Sequence, residues 1–498
     1  MTIQLLAIMA PGVISEAGNS YTSQDILDRF RKKMTYLERL EIQEFENIFY
    51  FKTSGARNGV NNNGYDDLKN HYIPVVNEHL AYRYQILKVL GKGAFGQVLL
   101  CMDHKTKEKV ALKMLQHCIC TWKIDVENEP EIILALESAD LENNHIIRLH
   151  ETFMFRGHFT MVLEFVGQDL RKELRNAKHF PLSRVRLYTQ AMLKALVKLK
   201  QESIVHGDLK PENILVKNHK TGNIRITDFG SSANVTSSFA GCFGTWQYMA
   251  PELLLLPFVT CAADMWSLGC VIVEIFLGCR LFIGKYYDLL GRAIKILGLP
   301  PLSMMSTKFN WTITMDDHGR PIVNGKVIVP SSLPLESLLD TDDRELLDFL
   351  RGCLEWDPTL RLTPEQALEH NWVRGSKKVQ GSAAAPSINV PLGQTAAPQS
   401  LKADPAPAES QLSGDNSQSY GTQESVTPGG CSVEEFVTAK SQQLAPTLCP
   451  GKKDHENDEK EKEVIVISRS KSAREHVRKK FRTFFSFIRK CCCCCGCG

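Results

Sequence analysis

Long hydrophobic runs are missing. No apolar stretch approaches the ~20 residues that a bilayer-spanning helix needs, which excludes a membrane-embedded protein. Charge of one sign is missing as well. A chain of 498 residues with a formal net charge of only +3 has too little bulk charge to hold nucleic acid, and no direct nucleic acid binding is expected. The opening MTIQLLAIMA is apolar but lacks a basic n-region and breaks at Pro11 and Gly12, so it is not expected to be a signal peptide. Cysteine is plentiful, 16 in all, but six crowd into Cys491–Cys495 and Cys497. The others lack the paired CxxC spacing of a zinc site, and they read as reduced thiols of an intracellular protein. With 43% hydrophobic and 23% charged residues the chain cannot be wholly disordered or collagen-like.

The pattern along the chain divides it into five parts. Residues 1–20 have no periodicity and read as a flexible N-terminus. From Tyr21 to Phe51 the spacing of Ile26, Phe30, Met34, Leu37 and Leu40 predicts helix, with a start near Ser23. A polar interval follows, including the turn-forming Asn61-Asn62-Asn63-Gly64, and residues 21–83 together form an accessory N-terminal region. Residues 84–372 have the composition of a folded core. Strand signals fill the first third, and helical patterns such as Leu187–Leu199 and Ala263–Leu277 fill the rest. Strands followed by helices predict a two-lobed α+β architecture with a β-rich N-lobe and an α-rich C-lobe.

Residues 375–463 are rich in Ser, Ala, Pro, Gln and Gly and poor in aromatics, so they cannot bury enough apolar surface to offset ordering entropy; a disordered linker is expected. In the tail, 464–498, eight basic residues from Lys471 to Lys490 interleave with Phe481, Phe484, Phe485, Phe487 and Ile488. That pattern favours an anionic membrane surface, with the adjacent cysteines as S-acylation sites. The competing reading is a basic disordered tail with a reactive or metal-binding cysteine cluster, or a nuclear-localisation signal. The expected location is cytoplasmic with membrane association, the nucleus being the alternative.

Chemistry enters with Gly91-Lys92-Gly93-Ala94-Phe95-Gly96-Gln97-Val98. In a dinucleotide-binding unit such glycines open into a helix; here strand-type residues flank them on both sides, Tyr84–Leu90 before and Val98–Cys101 after. That arrangement suits a hairpin folded over phosphates, and the absence of GK[ST] excludes a Walker loop. Val110-Ala111-Leu112-Lys113 then puts a lysine on the neighbouring strand, within reach of α- and β-phosphates. In His206-Gly207-Asp208-Leu209-Lys210-Pro211-Glu212-Asn213, Asp208 can accept a hydroxyl proton and Lys210 can balance charge on the γ-phosphate. Asn213 can ligate magnesium, as can the aspartate of Asp228-Phe229-Gly230. Each motif has a bland reading alone, as a glycine-rich hairpin or a solvated lysine. Their order and spacing together do not.

GKGAFGQV, VALK, HGDLKPEN, DFG and Ala250-Pro251-Glu252 are the protein-kinase signature set in chain order. HGDLKPENIL, DFGSS and DMWSLGCVI resemble the dual-specificity tyrosine-regulated kinases and their relatives, the homeodomain-interacting protein kinases. YLERLEIQEFENIFYF and NNNGYDD are similar to the accessory region of class-two members of the first family. The length of the activation segment and the helix end Leu196–Lys200 lean towards the second. The resemblance implies ATP and Mg2+ as cofactors and protein substrates as partners. It implies that Leu90, the glycine loop through Val98, Ala111, Leu163, Glu164 and Val166 surround the nucleotide. Leu163 would be the gatekeeper, and Glu164, Phe165 and Val166 the hinge to adenine. It also implies that Asp264 braces the catalytic loop and that Glu252 pairs with Arg361. The partner of Lys113 is Glu129 by hydrophobic register, with Glu131 as runner-up; Pro130 between them fits only a first helical turn.

The sequence also departs from the family. Gly207 stands where kinases commonly carry arginine, so activity without an upstream kinase is expected. The family's self-phosphorylated tyrosine falls at Cys242, and Met249 stands where the family has arginine. Tyrosine autophosphorylation at that position is therefore impossible, and a proline-directed preference is not expected. The function read from the sequence is an ATP- and Mg-dependent kinase acting on serine or threonine of proteins, with tyrosine left open; the alternative is a pseudokinase scaffold tethered to membranes.

Overall fold

The computed structural model describes residues 20–375 apart from 54–56, 94–95, 118–127, 138–139, 141–144, 236–243, 256–259, 285 and 306–312, together with the short strands Val13–Ile14 and Ile465–Val466. The remainder of the linker and tail, with the membrane and acylation readings placed there, lies outside the described residues, as do Ala94, Phe95 and Cys242.

Ahead of the accessory region stands β1 (Val13–Ile14); within it come α1 (Ser23–Phe30), α2 (Tyr36–Glu41) and β2 (Phe51–Lys52), which pairs with β1. The single helical pattern expected through Phe51 is thus broken. Thr22–Asp25 and Thr35–Glu38 form two capping boxes, each satisfying orphan N–H groups of a new helix, and Met34 between them is extended. Past Glu44, Phe45 is extended, and Ile48, Tyr50 and Phe51 are buried.

The N-lobe sheet follows: β3 (His79–Leu80), β4 (Tyr84–Lys92), β5 (Gly96–Asp103), β6 (Glu108–Leu115), then α3 (Asn128–Ala135), β7 (Leu149–Phe155) and β8 (His158–Glu164). The strands run antiparallel in the order β7-β8-β6-β5-β4-β3, and Ile465–Val466 pairs with Glu151 and Thr152 on β7. Tyr84 and Ile86 on β4 are buried while Gln85 and Leu87 are only partly so, the alternation of a strand with one buried face. The side chains of β8 are buried from His158 to Leu163, because both faces of the sheet are covered there.

One cover is α3. The other is the accessory region. Ile26, Ile42, Ile48, Phe51, Tyr65, Tyr72 and Tyr82 form one core with the sheet residues Ile86, Leu99, Val110, Leu112 and Phe153. Within it the Arg156 guanidinium lies 3.8 Å from the Tyr65 ring centroid and Arg57 lies 4.2 Å from the same centroid. Arg156 pairs with Glu41 at 2.9 Å, and Arg57 pairs with Glu78. Desolvated cation–π contacts of this kind contribute ~2 kcal/mol each.

The C-lobe is helical: α4 (Leu170–Ala177), α5 (Leu182–Gln201), β9 (Ile204–Val205), β10 (Ile214–Asn218), β11 (Asn223–Ile226), β12 (Ala233–Asn234), α6 (Pro251–Leu255), α7 (Ala262–Leu277) and α8 (Tyr286–Leu297), with smaller elements beyond. Every residue of α7 from Ala263 to Ile275 is buried, and apart from Asp264, Ser267 and Glu274 these residues are apolar, so the helix forms the axis of the lobe. At its N-terminal end Arg361 grips both oxygens of Glu252 at 2.6 and 2.9 Å and donates to the Ala262 carbonyl at 2.7 Å, as expected from the sequence.

Two stability predictions follow from these packings. Both Glu252 and Arg361 side chains are fully buried, so Arg361→Ala leaves a carboxylate uncompensated and should cost about 3–5 kcal/mol in chemical denaturation. An Arg361→Met/Glu252→Gln pair should recover part of it; an Arg361→Ala cost below ~1 kcal/mol contradicts the account. The second concerns buried histidines. Burial pushes His104 and His145 down to about 4, and His79 well below its usual value. Between about 4 and ~6.5 the unfolded chain therefore binds protons that the folded chain refuses, and stability falls as pH drops through that window. Thermal melts at pH 7.5, 6 and 5 should show a falling midpoint, with a shallower fall in His104→Gln; a flat profile counts against it.

Candidate active site

The site is assembled from three segments that meet at one ammonium group. Lys113 lies in β6 opposite Val98 of β5, the strand that leaves the glycine loop. Its Nζ donates to Glu129 Oε1 at 2.8 Å, to Glu129 Oε2 at 2.7 Å and to Asp228 Oδ1 at 2.7 Å. Glu129, 7% exposed, is therefore the lysine's partner, and Glu131 does not take that place. Pro130 is accommodated because it sits in the first turn of α3, where a missing N–H has no intrahelical acceptor to lose. Burial works to lower the Lys113 pKa, but the two carboxylates outweigh it and hold the ammonium above its ordinary value. The Lys113 charge in turn holds Asp228 below the ordinary carboxylate range. Asp228 adopts φ +66°, a left-handed conformation that aspartate tolerates better than most residues, and Phe229 beside it is fully buried, edge-on to His206.

The catalytic-loop residues form a second knot. Asp208 Oδ2 accepts from Lys210 Nζ at 2.6 Å and from Asn213 Nδ2 at 3.3 Å, while Asn213 Nδ2 also donates to the Asp208 carbonyl at 2.9 Å. Asp208 Oδ1 accepts from both the backbone N–H and the hydroxyl of Thr245 at 2.8 Å, and Lys210 donates to the Thr245 hydroxyl at 2.9 Å. Asp264, in the first turn of α7, receives the N–H groups of His206 at 2.7 Å and Gly207 at 3.0 Å, so the loop backbone is braced from below. Burial pushes the Asp264 carboxyl up; neighbouring His206 and these N–H donors work against that.

Around the cleft, Ala111 and Leu163 are paired across β6 and β8 and both are buried. A Cβ at Gly91 would meet no described atom within 4 Å. Gly96 differs: a Cβ there would overlap the Met114 carbonyl oxygen, so only glycine lets β5 approach β6 this closely. Leu90 and Val98 are half-buried against the main core, as is Val166 beyond β8. Three residues expected at the nucleotide turn their side chains elsewhere. Lys92 pairs with Asp67 at 2.7 Å, and the buried Gln97 amide donates to the Tyr72 carbonyl at 2.7 Å; their places in the strand pleat turn both side chains to the accessory region. The Glu164 carboxylate likewise turns from the cleft, accepting from the Arg148 N–H and Arg225 Nε, both at 3.1 Å.

Thr245 was not picked out from the sequence. The signal was present in the Gly-Thr pair just before Ala250-Pro251-Glu252: Gly244 has φ +64°, and a Cβ there would overlap the Gly207 carbonyl, so the glycine lets Thr245 reach Asp208.

Residues 84–373 match the protein kinase domain family. The chain belongs to this family. It is 35% identical over 372 residues to dual specificity tyrosine-phosphorylation-regulated kinase 4 of Homo sapiens, covering 72% of this chain and 71% of that one. It is 34% identical over 371 residues to kinase 2 of the same name from Drosophila melanogaster, with 51% of that longer protein covered, and 34% identical over 385 residues to kinase 3 from Rattus norvegicus, with 66% covered. This kinase is thus similar to the tyrosine-phosphorylation-regulated group.

The double contact of Thr245 with Asp208 gives a test. Thr245→Val keeps the backbone donor and removes the hydroxyl, so kcat should fall about tenfold with the nucleotide KM unchanged, the worth of one charge-assisted hydrogen bond. An unchanged kcat in steady-state assays would remove Thr245 from the positioning of Asp208.

Proposed function

We propose that the chain is an ATP- and Mg2+-dependent protein kinase that transfers the γ-phosphoryl group to serine or threonine hydroxyls of proteins. The observation that carries this is the Lys113 ammonium held between Glu129 and Asp228 in the same site as the Asp208–Lys210–Asn213 knot. Phosphoryl transfer asks a protein chiefly for positioning and for charge opposite the phosphates, and these groups supply both. Lys113 would bind the α- and β-phosphate oxygens. Asp208, already turned by Thr245 and Lys210, would orient the substrate hydroxyl and take its proton. Lys210 would neutralise charge growing on the transferred group. Ala111 and Leu163 offer apolar walls to the base.

The donor set fits magnesium. Asn213 uses its amide N–H groups on Asp208, which leaves its oxygen as the ligand atom, and Asp228 contributes a carboxylate. Among the described residues no cluster of three or more His, Cys, Asp or Glu forms a complete metal cage. A cation that prefers oxygen and keeps water and phosphate as its other ligands is the one suited to so sparse a set. When bound, it would neutralise the phosphates; Asn213 and Asp228 would hold it. The alternative of a scaffold without catalysis has no observation in its favour, since Lys113, Asp208, Asn213 and Asp228 are all present and engaged.

The experiment is ATP turnover by the purified full chain on a serine/threonine peptide library. Activity should need magnesium, and Asp208→Asn should lower it by about 10²–10⁴-fold, the usual contribution of a positioned proton acceptor. Phosphatase-treated protein should retain most of its rate, because position 207 offers no cation to an activation-segment phosphate. Wild-type turnover no faster than Asp208→Asn would overturn the enzymatic reading.

A further inference from the structure

Beside the catalytic carboxylate lies a corner built from two acids and two arginines. Glu212 is in the catalytic loop, adjacent to Asn213, which itself bonds Asp208. Glu274 is in the last turn of α7 and only 1% exposed. Tyr248, at the end of the activation segment, is buried and donates its hydroxyl to Glu274. A cluster of two carboxylates and a phenol so close to Asp208 would draw any cation on a peptide lying across the cleft.

The chain fills that corner itself. Arg171 comes from the first turn of α4, and its side chain is 12% exposed. Its Nε donates to Glu212 Oε1 at 2.8 Å, its Nη1 to Glu274 Oε1, and its Nη2 to the Tyr248 hydroxyl at 2.6 Å. One guanidinium thus uses three donors on three different segments, the planar fork that lysine could not supply. Arg280 adds a second cation, 3.7 Å from Glu212 and 3.8 Å from Glu274. The charges balance two against two. Among the described residues Glu212 Oε2 has no hydrogen-bond partner, and it is shut off from solvent, so an incoming cation would have to move a neighbouring group to reach it.

We propose that Arg171, seconded by Arg280, is a specificity-determining residue that occupies the acidic corner of the peptide-binding cleft, so that this kinase accepts substrates without selecting a basic side chain near the phosphoacceptor. The inference rests on the kinase reading above and narrows its substrate class. An arginine-bearing peptide gains nothing from Glu212 and Glu274 while two resident guanidiniums neutralise them, and it meets like charge at the corner's mouth, where Arg280 is 40% exposed.

The test uses the full chain and paired peptides that differ only by arginine or glutamine at each position near one serine. Wild type should show kcat/KM ratios, arginine over glutamine, within about threefold of one. Arg171→Gln/Arg280→Gln, which uncovers both carboxylates, should raise at least one ratio tenfold or more, and Arg280→Gln alone should raise it partway. Fluorescence anisotropy with the same peptides reads the preference by binding, so it remains measurable if turnover is absent. Thermal melting confirms that each variant is folded; if the double variant is not, the wild-type ratios and Arg280→Gln decide. A wild-type preference for arginine of tenfold or more, or folded variants with wild-type ratios, overturns the proposal. Turnover no faster than Asp208→Asn on every peptide instead overturns the kinase reading, while the anisotropy ratios still judge the corner.

Discussion

One ammonium group shared by two carboxylates organises the cleft. Lys113 belongs to the N-lobe sheet, Glu129 to α3 and Asp228 to the loop after β11, and none of the three is near another in sequence. Each would be costly to bury alone, because a charge removed from water needs a partner of opposite sign. Together they are mutually satisfied, and the condition for that satisfaction is geometric: α3 must sit against the sheet, and the loop bearing Asp228 must come up to meet it. The interaction therefore fixes the relation of the two acids to the strand leaving the glycine loop. Asn128, one residue before Glu129, adds a second tie by donating to the Ser232 carbonyl at 3.0 Å.

The C-lobe meets the same demand with a single helix. Two acids project from α7, Asp264 in its first turn and Glu274 in its last. The first receives the backbone of the catalytic loop, and the second receives Tyr248 from the activation segment and Arg171 from α4. Both are buried in a helix whose other buried residues are apolar save Ser267. A buried acid is tolerated only where donors surround it, and here the donors are the segments that must be held still for chemistry. The rigid axis of the lobe is thereby transmitted to the catalytic loop from one end and to Tyr248 and Arg171 from the other.

Much of this was legible because its chemistry is written in short contiguous strings. Asp208, Lys210 and Asn213 lie within six residues, so their convergence needs only a tight loop. The two long helices were legible from periodicity, and Glu129 from the apolar register of Ile132, Ile133 and Leu136. What could not be read depends on hydrogen bonds that local pattern does not register. The break at Met34 is made by two capping boxes, each of which competes with continued helix. Lys92 and Gln97 sit inside the right motif but on the side of the pleat that faces the accessory region. Arg171 was invisible for a different reason: its three partners come from the catalytic loop, the activation segment and α7, and no spacing in the sequence brings those together.

The accessory region shows how such distant contacts can make two stretches of chain into one folding unit. The outer face of the sheet is apolar at Ile86, Leu99, Cys101, Val110 and Leu112, all nearly inaccessible to solvent. A sheet face of that composition cannot stand in water, and the residues that cover it come from the accessory region. The cover is then locked by charge. The Tyr65 ring lies between Arg57, itself in the accessory region, and Arg156, from the turn joining β7 to β8. Arg156 reaches Glu41 of α2 and Glu78 just before β3, and His158 beyond it bonds Asp66 at 2.8 Å. Because the arginines and their acids are buried on both sides of the seam, separating cover from sheet would expose apolar surface and strand desolvated charges at once. The glycine loop hangs from the same strands, with Lys92 held by Asp67 and Gln97 by Tyr72. The seam that stabilises the N-lobe thus also sets the position of the loop that would lie over the phosphates.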